Sequence, residues 1–364
     1  MSSTALPEGP QRALHPRYYR DPAIFAQERE RIFYRTWQYV CHTQEVAKSG
    51  DYLVFEVADQ SLFVIRDGVG SLRAFYNVCQ HRAHELLSGS GNRKLITCPY
   101  HAWVYNLDGR LRRAQGTEHV PGFDLDEICL SEVRLEVFCG FVFVNLDPDA
   151  AGMTAWYADA EADLRRYVPE IDSYRPIWTH DSLEACNWKV AVENYNECYH
   201  CRFVHPAFTK GVIAAESVDI TPKDYTLRHE ASAVASEKGS YAFSDNAYHV
   251  IFLWPAMSIQ VYPGRVLNTY WWRPTAIDAT RVYRGWLSPG GDEDRTTMEI
   301  AEIDKKTTFV EDLPVVESVQ RGLNSRGYAG GPLVLNPKGG VDNERSIQAI
   351  HGWVREALET PPSR

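Results

Sequence analysis

The chain has 364 residues, enough for two domains, with an ordinary globular balance of 44% hydrophobic and 24% charged residues. A net charge of −10 argues against nucleic-acid binding. The longest apolar runs, such as His249-Val-Ile-Phe-Leu-Trp254, are too short to cross a membrane, and Met1-Ser-Ser-Thr-Ala-Leu-Pro7 does not read as a signal peptide, so a reducing cytoplasm is expected.

The first forty residues read as an arm and a helix. Asp21-Pro22 is a good N-cap followed by proline at the first helical position, and Phe25, Arg29, Ile32, Phe33 and Trp37 put aromatics on one face. From Gly50 to Asp147 short alternating segments dominate, among them Tyr52–Phe55, Leu62–Ile65 and Phe141–Val144. This predicts an antiparallel β domain. Asp147-Pro148 marks its end, a helix is expected over 154–168, and Ser88–Asn92 reads as a flexible turn.

Inside that domain stands Cys79-Gln-His81, then sixteen residues, then Cys98-Pro-Tyr-His101. Thiolates and imidazoles bind zinc or iron–sulfur clusters. A structural Cys2His2 zinc site usually pairs cysteine with cysteine and histidine with histidine, whereas each half here is mixed. The mixed pattern suits a Rieske [2Fe–2S] cluster, with both cysteines on one iron and both histidines on the other; zinc is the rival. Leu72–Val78 and Leu95–Thr97 deliver the cysteines from strand ends, and Asn106-Leu-Asp-Gly109 is a hairpin turn.

The remainder mixes helices and strands: a polar-rich helix near 187–201, strands around 248–286 and a helix after Pro314. On the first helix Trp188, Val192, Tyr195 and Tyr199 form one stripe, with Glu193, Glu197 and His200 opposite. His200 and His205 are candidate metal ligands, and the alternative is a polar face that simply meets water. Asp312 heads an apolar stripe of Val315, Val316, Val319 and Leu323, where an unpaired carboxylate is costly; it is either a metal ligand or a helix cap. Lys189 and Glu193 read as a helical ion pair. Cys198 and Cys201 read as small packing residues rather than a redox pair. His42, His84, His119 and His249 read as structural.

The segments Cys79-Gln-His-Arg-Ala-His84, Cys98-Pro-Tyr-His-Ala-Trp103 and Glu197-x2-His200-x4-His205 resemble those of the Rieske non-haem iron oxygenases, catalytic (alpha) subunits, over about Phe33 to Gly327. Members usually carry glycine where Ala102 stands. The resemblance implies an α+β chain: an N-terminal arm (1–39) belonging to the catalytic domain, a Rieske domain (40–150), and a catalytic domain (151–364) with an antiparallel sheet flanked by helices, of helix-grip type. It implies Cys79, His81, Cys98 and His101 on the cluster. It implies a mononuclear Fe(II) held by His200, His205 and Asp312, the last favoured over Glu311 and Glu317 by the Glu-Asp-x4-Glu-x2-Gln segment.

The family's carboxylate at Glu197, usually aspartate, bridges a cluster histidine of a neighbouring subunit to an iron ligand within a trimer. Glutamate there resembles the carnitine and glycine betaine oxygenases. The expected activity is that of a terminal oxygenase using O2 to hydroxylate beside a quaternary or N-methylated nitrogen, with C–N cleavage or demethylation. Monooxygenation is favoured, dioxygenation stays open, and aromatic-ring hydroxylation is the alternative. Tyr195, Phe252, Trp254 and Trp271 are candidates for a cation–π pocket. No dinucleotide or flavin fingerprint occurs, so electrons from NAD(P)H are expected through a separate reductase. A non-catalytic Rieske electron carrier or zinc-binding protein is the reading from another class, disfavoured by the length beyond the cluster motif and by the second His/His/acid set.

Overall fold

The computed structural model describes residues 11–234 and 247–360; the Met1–Pro7 segment lies outside them. The chain divides into two units, one running to Ile32 and resuming at Thr154, the other spanning Phe33–Met153. The sequence boundaries set at 39/40 and 150/151 thus fall at 32/33 and 153/154.

In the Phe33–Met153 unit, a seven-stranded antiparallel sheet runs in the order Gln38–His42, Phe141–Asn145, Glu132–Phe138, Leu72–Tyr76, Gln60–Arg66, Asp51–Val57, Ser90–Asn92. Leu62–Ile65 and Phe141–Asn145 are buried along their whole length because both faces of the sheet are covered. Phe63 and Ile65 face a core shared with Phe75, Trp103 and Tyr105, while Val64 joins Cys41, Val46 and Val142 on the other side. Ser90–Asn92, expected to be a flexible turn, is an edge strand paired with Asp51–Leu53. A small sheet of Ile96–Thr97, Val104–Tyr105 and Leu111–Arg113 turns at Gly109, whose φ is +88°.

In the other unit, Asp21 caps the Pro22–Glu28 helix, its carboxylate accepting from the Ala23 N–H. That helix passes into a π-helical turn at Arg29–Phe33, so the single apolar face expected out to Trp37 is interrupted. A second seven-stranded antiparallel sheet runs Tyr174–Glu184, Ala279–Pro289, Val266–Ala276, Met257–Tyr262, Ala247–Leu253, Thr226–Ser232, Asp219–Lys223. The helices Trp188–Tyr195, Arg295–Lys306 and Thr308–Leu323 contact its strands.

Several expectations are corrected here. The helix expected over 154–168 is broken at Ala158, φ +46°, into Met153–Tyr157 and Ala160–Tyr167. The helix expected over 187–201 stops at Tyr195, where the Asn196 side-chain amide donates to the Val192 carbonyl and closes the last turn. Two short helices follow, Cys201–Val204 and Pro206–Gly211. The helix expected after Pro314 already starts at Thr308, and Pro314 lies inside it. Proline there removes the N–H that would bond the Val310 carbonyl, and Val310 is exposed. Lys189 does not pair with Glu193. It is fully buried and reaches Glu28 at 2.5 Å, and Glu28 also accepts the Trp188 indole N–H at 2.8 Å.

Candidate metal centres

The two cysteine–histidine loops of the Phe33–Met153 unit share one backbone design. Ala83 N–H bonds the Cys79 carbonyl and Ala102 N–H bonds the Cys98 carbonyl. Cys79 N–H closes onto His84 and Cys98 N–H onto Trp103. Ala83 and Ala102 both adopt left-handed backbone, φ +56° and +54°. Position 102, usually glycine in the family, therefore does need the conformation glycine favours, and alanine adopts it here with some strain.

Both cysteines are 2% exposed, while His81 and His101 lie further out with ring centroids 4.5 Å apart. The His81 ring stacks flat on Trp103 at 4.6 Å, and the Cys79 sulfur sits 3.2 Å from the Tyr105 hydroxyl. Burial pushes the Cys98 thiol pKa up, so a thiolate there calls for a cation. Desolvation, then the charges of His81, Arg82 and His84, hold His101 below the usual histidine range, favouring the neutral imidazole that ligates metals. Two buried sulfurs and two outer imidazoles fit a cluster with chemically distinct irons.

In the other unit, His200, His205 and Asp312 bring one ligand atom each within 4.8 Å of one another, and are the one such group of three or more among the described residues. The His200 and His205 Nε2 atoms are 3.0 Å apart, and Asp312 Oδ1 is 3.1 Å from His205 Nε2 and 3.5 Å from His200 Nε2. Each outer nitrogen meets a carboxylate: His200 Nδ1 lies 2.5 Å from Glu197 Oε1, and His205 Nδ1 lies 2.9 Å from Glu311 Oε2. A carboxylate only accepts, so both Nδ1 atoms carry the proton. That leaves two Nε2 lone pairs and the Asp312 oxygen converging. Asp312 Oδ1 is buried with no hydrogen-bond partner despite its 3.1 Å neighbour. Three acceptors aimed at one point fit a cation between them, and two histidines with one carboxylate are the donor set of non-haem iron sites. The sequence reading missed Glu311 as the His205 partner; its only signal was an acid adjacent to Asp312.

A cavity opens beside the triad. Tyr195, Tyr248, Tyr262, Tyr270 and Trp272 line it, together with Arg284 and Asp304. Tyr195 lies 4.8 Å from Trp272 and 5.2 Å from Tyr270 between ring centroids. Buried Asp304 accepts from the Tyr262 and Tyr270 hydroxyls and from Thr308. Of the four aromatic candidates only Tyr195 lines the cavity. Trp271 is corrected: it alternates to the opposite face of its strand from Tyr270 and Trp272 and stacks on Tyr283 at 4.8 Å. Trp254 packs between Trp188 and Trp353 in the core. Phe252 is fully buried and packs on Trp272 rather than lining the cavity. Cys198 and Cys201, expected as packing thiols, form a disulfide on the cavity wall with His200 between them.

Known proteins are similar to this chain in sequence and fold. Residues 36–124 match the Rieske [2Fe-2S] domain, and residues 153–360 match the ring hydroxylating alpha subunit (catalytic domain). The chain belongs to the ring-hydroxylating alpha-subunit family: it is a Rieske-type oxygenase, an oxidoreductase with a [2Fe–2S] cluster, a mononuclear iron and O2 as co-substrate. It is 35% identical to the carnitine monooxygenase oxygenase subunit of Escherichia coli (strain K12), over 94% of this chain and 93% of that one. A quaternary ammonium Rieske monooxygenase solved with L-carnitine superposes with a TM-score of 0.86 at 30% identity, covering 96% of each chain. Naphthalene 1,2-dioxygenase from Rhodococcus sp., at 19% identity and TM-score 0.83, shares the fold alone. The E. coli relative is named a monooxygenase, and dioxygenation gains no support. No helix among the described residues is long and apolar enough to cross a membrane.

Proposed function

We propose that the chain is the terminal oxygenase of a system that oxidises a quaternary ammonium or N-methylated compound, with loss of a methyl group or C–N cleavage. The observation that carries this is the cavity itself: Tyr195, Tyr248, Tyr262, Tyr270 and Trp272 gather beside His200, His205 and Asp312. A quaternary nitrogen cannot accept or donate hydrogen bonds, so electron-rich ring faces are its natural partners. Asp304, holding the Tyr262 and Tyr270 hydroxyls, turns the rings toward a cation and adds negative charge behind them.

In this reading Cys79, His81, Cys98 and His101 hold the cluster, which supplies electrons one at a time. His200, His205 and Asp312 hold the iron, which supplies O2 activation. Glu197 and Glu311 keep the two ligand imidazoles protonated on Nδ1 and fix their planes. The second oxygen of Glu197 accepts the Tyr199 N–H at 2.5 Å, which holds the carboxylate in place, and within a homotrimer it is our candidate for the link to a neighbouring chain's His81 or His101. A separate NAD(P)H-dependent reductase delivers the electrons, and the enzyme works in the cytoplasm.

The test is turnover with a surrogate reductase against carnitines, betaines, choline and simple aromatics, scoring formaldehyde or free amine. Release from quaternary ammonium compounds is expected. Turnover of aromatics alone would overturn the substrate class. Metal content checks the rest: three irons per chain are expected, and stoichiometric zinc with no colour would sink the cluster assignment.

A further inference from the structure

One cation on the cavity wall is left short of partners. Arg284 lies on the Ala279–Pro289 strand, is 2% exposed and lines the cavity. A guanidinium has five N–H donors. Here Nη1 donates to Ser182 Oγ at 3.1 Å. Nη2 stands 3.7 Å from Glu184 Oε1, too far for a hydrogen bond. Nε is buried with no acceptor. The guanidinium lies 4.0 Å from the Phe309 ring centroid and 4.9 Å from that of Tyr270, whose hydroxyl is a further hydrogen-bond neighbour, and neither ring gives Nε an acceptor.

The nearby acids Asp304 and Glu184 offset its charge but leave Nε without an acceptor. Asp304 is occupied by two tyrosines and Thr308. Glu184 is itself buried, and burial raises its pKa to about 7, so it is an incomplete counter-ion. Buried charges are normally paired and hydrogen-bonded, because an unpaired one is strongly disfavoured. A buried arginine with an unused donor, on the wall of a cavity that also carries Tyr195, Tyr248, Tyr262, Tyr270 and Trp272, has the chemistry of an anion anchor. Its planar fork matches a carboxylate.

We propose that Arg284 anchors a carboxylate carried by the substrate, so that the site takes trimethylammonium carboxylates in preference to quaternary ammonium compounds lacking an acid. This rests on the quaternary ammonium reading above and deepens it. The aromatic wall holds the cationic end and Arg284 the anionic end. A molecule with both is fixed at two points and presents the carbons beside its nitrogen in one orientation. Choline offers only the first contact.

The experiment is anaerobic calorimetric titration of the iron-loaded enzyme with L-carnitine, γ-butyrobetaine, glycine betaine, their methyl esters, and choline. At least one of the acids should bind roughly 30-fold or more tightly than its own ester and than choline, the range for a buried charge pair that loses one partner. In Arg284→Gln that preference should shrink to about threefold or less, with ester and choline affinity little changed. Arg284→Lys, which keeps the charge, should retain part of the preference and guards against a folding defect in the glutamine variant; an intact cluster spectrum confirms the fold of each. Equal binding of acids and esters by the wild type would overturn the anchor while leaving the quaternary ammonium reading standing. An acid preference that survives in Arg284→Gln assigns the anchor to another residue. Failure of every trimethylammonium compound to bind would remove the underlying reading and the anchor with it.

Discussion

Glu311 and Asp312 are consecutive in the chain and address the two nitrogens of one imidazole: Glu311 Oε2 is 2.9 Å from His205 Nδ1, and Asp312 Oδ1 is 3.1 Å from His205 Nε2. Adjacent helical residues point about 100° apart, and His205 fits into the notch between them. The two carboxylates are therefore not interchangeable. Asp312→Ala should lower iron by one per chain and abolish turnover with the cluster spectrum intact. Glu311→Ala should keep the donor atoms but weaken iron affinity roughly 10- to 100-fold. Metal analysis against free iron concentration separates them, and the reverse ranking would exchange their roles.

Cys98→Ser and His81→Cys should each remove the Rieske signal from the electron paramagnetic resonance spectrum of the reduced protein. Ala102 gives a subtler test. Its φ of +54° admits glycine freely and a β-branched residue badly. Ala102→Gly should leave the melting temperature unchanged or slightly higher, and Ala102→Val should lower it by several degrees with faster cluster loss. Equal melting of the two variants would contradict the left-handed assignment.

Glu197→Gln should preserve both metals, because the amide oxygen can still accept from His200 Nδ1. It cannot take up a proton as a carboxylate can. Reduced cluster should then persist in the presence of substrate and O2, with turnover strongly slowed. Loss of iron would instead make Glu197 a ligand. If the chain assembles as the proposed trimer, mixtures of Glu197→Gln and cluster-dead chains should recover some activity when electrons cross between subunits, and none when they stay within one chain.

Trp271 and Trp272 are neighbours with opposite fates. Trp272→Leu should raise KM for a quaternary ammonium substrate about tenfold through a lost cation–π contact. Trp271→Leu should change thermal stability by disturbing the Tyr283 stack, with KM unchanged. Matching KM effects would refute the strand alternation.

Glu184 predicts a pH effect. Burial lifts its pKa from 4.5 to about 7, against the pull of Arg284 and with help from Asp312 and Glu317. Between these values the folded chain binds the proton more tightly than the unfolded one, so folding stability falls as pH rises from about 4.5 through about 7. Glu184→Gln should flatten that slope in denaturant titrations, and an unaltered slope would show that other groups dominate.

The cluster loops were legible because each pairs its donors two or three residues apart, and a local turn suffices to bring them together. His200 and His205 were legible for the same reason, even though the helix before them ends at Tyr195 rather than near 201. For Asp312 the apolar stripe leaves ligand and helix cap open and the family pattern favours the ligand, since chain separation hides a contact made by tertiary packing. The cavity wall was the least legible. Tyr248, Tyr262 and Tyr270 sit on separate strands, and on the last of these a one-residue shift in alternation separates Trp272 from Trp271. Pro314 misled as a helix start because proline is favoured there, while its exposed position let it lie inside the helix.

The division of the chain bears on the order in which the protein can be built. Residues up to Ile32 belong with Thr154 onward, as Glu28 with Lys189 and Tyr19 with Glu193 make plain. Glu28 is therefore made well before its partner, and must wait in water for a lysine more than a hundred residues behind it. The Phe33–Met153 unit has no such wait, because all four proposed cluster ligands lie within one uninterrupted stretch. Synthesis completes the electron-receiving half while the oxygen-using half still lacks His200, His205 and Asp312.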